Sequence, residues 1–72
     1  MKNEFTAIIE EGGEGWYWAH SPEVPAANGQ GRTPDEAVDD LAAAIELVLE
    51  DLREEADRDM TASARKCVVR VG

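Results

Sequence analysis

The chain has 72 residues, a formal net charge of -9, one Cys, one His and 43% hydrophobic residues. A single cysteine excludes an internal disulfide, and one His with one Cys cannot close a zinc site. No apolar run approaches the ~20 residues of a membrane span, the net charge argues against direct nucleic-acid binding, and the length is that of one domain, 1–72.

In chain order, Met1-Lys2-Asn3-Glu4 leads into no signal-peptide apolar region, so a cytoplasmic protein is expected. Residues 4–10 read as a strand with Phe5, Ala7 and Ile9 on one face and Thr6 and Glu10 on the other. Glu11-Gly12-Gly13-Glu14-Gly15 reads as a hairpin loop rich in the residue that tolerates positive φ. Trp16 to His20 is the returning strand, with Trp16 and Trp18 on one face and Tyr17 on the other. One face packs under a helix, which leaves an aromatic on the outer face as an interface anchor. Pro22 ends that strand, and Pro22 and Pro25 cannot donate to a ladder. A short third strand is expected around Ala27–Gln30, and Gly29 and Gly31 are read as positions of unusual backbone angle.

Thr33 is an N-cap, Pro34 fits the first helical position, and Glu36 completes a Thr-x-x-Glu capping box. Val38, Leu41, Ala42, Ile45, Val48, Leu49 and Leu52 form one apolar stripe, while Ala37, Ala43 and Ala44 favour helix without demanding burial. From Pro34 to Asp59 the chain holds eleven acidic residues against Arg53 and Arg58, which is -9, so the remainder sums to zero. Like charges four apart, such as Glu46/Glu50, oppose one another, and carboxylates in the final turns oppose the helix dipole. Part of this surface is therefore expected to attract a basic partner. Arg58 to Ser63 reads as a loop. Cys67 to Val71 reads as a final strand, with Cys67, Val69 and Val71 on one face and available as a dimer interface. Cys67 is expected to be a buried small apolar residue.

The expected fold is α+β: an antiparallel three- to four-stranded sheet, β-β-β-α-β, with one long helix on one face. A core this small is expected to need a dimer or higher homo-oligomer. Catalysis is not expected. His20 lies beside Ser21 with no nucleophile geometry, and the Gly29/Gly31 pair lacks the Lys and spacing of a phosphate loop. Carboxylates such as Glu4, Glu10 and Glu23 are too scattered for nuclease metal chemistry, and no cofactor is expected.

The order of these pieces resembles the HicB-like antitoxin family of type II toxin–antitoxin systems. The matching features are the strand Phe5–Glu10, Gly15-Trp16-Tyr17-Trp18-Ala19, Pro22-Glu23-Val24-Pro25, Gly29-Gln30-Gly31-Arg32-Thr33, and Asp35-Glu36-Ala37 opening a helix that runs through Ala44-Ile45-Glu46-Leu47-Val48-Leu49-Glu50. Ala26 departs from the Gly usual in the family. The resemblance spans roughly residues 4–52. It implies a partial ribonuclease-H-like fold without nuclease activity, and a small basic HicA-type toxin that cleaves mRNA and is occluded by the antitoxin. Many members add a DNA-binding domain, which is not expected here. The partner-binding residues expected are Trp16 and Trp18 on the sheet, Glu23 and Pro25 on the rim, and Glu46 and Glu50 on the helix. The alternative expectation is an orphan module of this family that oligomerises without a toxin.

Overall fold

The computed structural model describes residues 4–71. Three strands, β1 (Ile8–Glu11), β2 (Tyr17–Ser21) and β3 (Val24–Gly31), form one antiparallel sheet in the order β1-β2-β3. One 25-residue helix, α1 (Pro34–Arg58), packs on one face. The fold is α+β, with the expected β-β-β-α layout.

The hairpin β1–β2 pairs Ile8 with His20, Ile9 with Ala19, Glu10 with Trp18 and Glu11 with Tyr17. This register puts Ile9, Tyr17 and Ala19 on the helix side and Ile8, Glu10, Trp18 and His20 on the outer side. Its loop contains a 3-10 turn, Gly13–Gly15, in which Gly15 has φ 77° and Glu14 has φ 62°. The second value falls on a residue with a Cβ, where left-handed backbone costs about 1 kcal/mol.

The opening strand is shorter than the expected 4–10. Ladder pairing starts at Ile8, because β2 becomes irregular at His20/Ser21 and then turns through Pro22, which has no N–H to donate. The third strand is longer than expected, eight residues that include Pro25. Pro25 is tolerated because β3 is an edge strand.

Gly29 and Gly31 lie inside β3, and neither has a positive φ. Their role is space rather than backbone angle. A Cβ on Gly29 would collide with the carbonyl oxygen of Ala37 and the amide nitrogen of Leu41. A Cβ on Gly31 would stand 2.8 Å from the amide nitrogen of Ala37. The helix therefore rests its backbone directly on β3.

The core comprises Ala19, Val24, Ala27, Ala37, Leu41 and Ile45, with Tyr17, Ala44, Val48 and Leu49 packed against it. Ala37, read from sequence as neutral, is fully buried, whereas Ala42 and Leu52 of the expected stripe are exposed. Helix length explains Leu52: at 1.5 Å per residue the helix is about 37 Å long, and every residue from Glu50 to Val71 is exposed.

The expected final strand does not form within the chain. Residues 60–71 contain neither helix nor strand and are exposed, Val68 at 93% and Val69 and Val71 at 72% and 71%. Cys67 is exposed rather than buried. Strand propensity is mainly a fit to a pleated neighbour, and this segment pairs with no strand among the described residues.

Candidate partner-binding site

The helix start is fixed by two side chains. The Thr33 hydroxyl accepts from the Glu36 amide at 3.1 Å. The Glu36 carboxylate accepts from the Arg32 amide at 2.8 Å, one residue earlier than in a standard capping box. Asp40, one turn further on, accepts from the Gln30 amide at 3.0 Å. That contact occupies a donor on the open edge of β3, and nothing in the sequence pattern signals it.

The outer sheet face carries Ile8, Glu10, Trp18, His20, Asn28 and Gln30 by register. Trp18 is 50% exposed, and its indole leans over Gly12, where a Cβ would meet the ring. Trp16 precedes β2 and is half-buried, with the Arg32 guanidinium over its ring at 4.5 Å from the centroid. Such a cation–π pair is worth about 0.5–1 kcal/mol. Of the two tryptophans, Trp18 is thus the one open to a partner. Ser21 and His20 are adjacent on a strand and so point to opposite faces.

At the β2–β3 turn, Glu23 is already engaged. Its carboxylate accepts from the Thr6 amide at 3.0 Å, the Thr6 hydroxyl at 2.6 Å and the buried Ser21 hydroxyl at 2.9 Å. The Thr6 hydroxyl, then that of Ser21, holds its pKa down at about 2 against an ordinary 4.5. Glu23 clasps the N-terminal run to the turn. Pro25 is exposed beside it.

The helix covers β3 and β2 and barely touches β1. An open, mainly apolar groove of about 450 Å³ remains between the run Phe5–Ala7 and the helix residues Val38, Leu41, Ala42, Ile45 and Leu49, with Glu46 beside them. Beyond it, Glu50, Asp51, Glu54 and Glu55 are exposed on the overhanging turns. Among the described residues one salt bridge forms, Lys66 to Asp57 at 3.0 Å. No group of three or more His, Cys, Asp or Glu residues among them converges to hold a metal ion.

The expected partner-binding residues therefore lie in three places: Trp16 and Trp18 on the sheet, Glu23 and Pro25 at the turn, and Glu46 and Glu50 along the helix. The structure does not gather them into one patch. Sequence reasoning missed the groove, because its wall at Phe5–Ala7 was read as part of a continuous strand.

A UPF0150 protein of Synechocystis sp. is 50% identical to this chain over 64 residues, covering 89% of each. The chain belongs to the UPF0150 family. A second UPF0150 protein of the same organism is 36% identical over 55 residues, covering 76% of this chain and 80% of its own. No protein-family model and no solved structure matches. No helix among the described residues is long and apolar enough to cross a membrane.

Proposed function

We propose that this UPF0150 protein is a non-catalytic, HicB-like antitoxin of the cytoplasm that binds and masks a small basic, mRNA-cleaving toxin of the HicA type. The observation that carries this reading is the acidic helix. Its turns from Glu50 onward project beyond the sheet, and Glu46, Glu50, Asp51, Glu54 and Glu55 are exposed and unengaged by the cations of the described residues. Such a surface steers a basic partner and raises its association rate. Exposed Trp18 supplies apolar area that a docked partner would exclude from water.

The test uses the product of a short basic reading frame flanking the gene. Purified chain should abolish its RNA cleavage at a stoichiometric ratio, and association should slow at least tenfold between low and high salt. Unimpaired cleavage would overturn the reading, and a salt-independent rate would remove the helix as the docking surface. A second reading, an oligomerising module without a toxin, is favoured by one observation: the exposed, β-prone segment Cys67–Val71.

A further inference from the structure

The chain carries two unfilled halves of one contact. One is the apolar groove between Phe5–Ala7 and the helix, beside the open edge of β1. The other is Cys67-Val68-Val69-Arg70-Val71, five residues of strong strand propensity that are exposed and unpaired. Their charges also match. Residues 60–71 hold Arg65, Lys66 and Arg70 and no acid, while the groove and its adjoining edge carry Glu46, Glu10 and Glu11.

We infer that the groove is the docking site for residues 67–71 of a second copy of this chain, exchanged reciprocally to give a two-fold dimer. The segment lies along the open edge of β1. Cys67, Val69 and Val71 alternate toward the groove, and Val68 and Arg70 face away. Arg65 and Lys66 enter past Glu46. Two features select a second copy over the chain's own tail. Within one chain the tail turns back at the helix end, with the Ala64 amide on the Thr61 carbonyl at 3.1 Å and Lys66 on Asp57, and Cys67–Val71 stay exposed rather than seated in the groove. Filling the groove from the same chain would also leave Leu47 and Leu52 on the overhanging helix at 63% and 55% exposure, where a second copy can cover them. The exchange is isologous, so it closes at two chains and leaves no groove open for further growth. This inference does not rest on the antitoxin reading.

The test is Ala42→Cys in the full chain under mild oxidation. Ala42 is exposed and lines the groove, so the substitution leaves the core intact, and natural Cys67 is the only other thiol. The expected product runs at twice the 7.9 kDa chain mass without reductant, with position 42 of one copy bonded to Cys67 of the other by peptide mapping. A disulfide at single-chain mass would show the tail docked on its own chain and overturn the inference. Cross-links between two Cys67 residues alone, or no cross-link at all, would overturn it too. In parallel, Val69→Asp with Val71→Asp should weaken the dimer at least tenfold, by sedimentation, with helical circular dichroism retained. An unchanged dimer, or a wild-type chain that is monomeric at micromolar concentration, would refute the exchange.

Discussion

The two halves of the helix are built from the same kinds of residue and behave differently. In the first half, Ala37, Leu41 and Ile45 are buried, and two carboxylates have defined work. Glu36 and Asp40 accept from the Arg32 and Gln30 amides, completing the helix start and shielding the β3 edge. In the second half six acids, Glu46 to Asp57, are exposed, and among the described residues only Asp57 meets a cation. Near the start a carboxylate also complements the helix dipole, whereas near the end it opposes it. The difference lies in what is underneath. Where β3 supplies a floor of glycine and alanine, the helix is part of the fold; past that floor it is a charged arm.

Leu41→Ala breaks the seated half and should have the largest effect, about 2–5 kcal/mol of lost stability, read as a fall in thermal midpoint by circular dichroism. Gly29→Ala comes next. It forces a Cβ against helix backbone that has no rotamer to yield, and about 1–3 kcal/mol should be lost. Thr33→Ala removes the cap and should cost about 0.5–2 kcal/mol. Leu52→Ala, on the arm, should change the stability of the isolated chain by less than about 0.5 kcal/mol. If Leu52→Ala costs as much as Leu41→Ala, the division of the helix is wrong.

Acid tests a different contact, the Glu23 clasp on Thr6 and Ser21. Glu23 has a folded pKa of about 2, below the ordinary 4.5, so the stability it contributes is present above about 4.5 and is lost as pH falls through about 2. The Thr6 amide resonance should therefore titrate with a midpoint near 2, and Thr6→Val should move the Glu23 midpoint up toward 4.5. A Thr6 midpoint already at 4.5 would mean that the clasp does not hold in solution.

Much of this fold was legible in sequence because its signals are local. Thr33, Pro34 and Glu36 mark the helix start, and the Gly-rich loop between alternating segments marks the hairpin. What escaped depends on contacts between distant residues. Gly29 and Gly31 looked like turn residues because a glycine that makes room for a helix is spelled like a glycine that bends a chain. The length of β3 was hidden by Pro25, which only an edge position tolerates. Cys67–Val71 has the composition of a strand, but composition cannot name the neighbour that would make it one. The candidate site was read less well: alternation placed an aromatic on the outer face, but gave no sign that Arg32 covers Trp16 or that Glu23 is occupied by Thr6 and Ser21.

The glycine and alanine floor has an entropic consequence. Ala27, Gly29, Gly31 and Ala37 have no side-chain torsions to freeze, so bringing helix and strand together there sacrifices no rotamer freedom, unlike a seam of leucine or methionine. Glycine gives back part of that gain through the larger backbone freedom of the unfolded chain. A domain with little apolar volume to bury thus limits what it must order, and concentrates its intolerance of substitution in two positions where a single methyl group is too much.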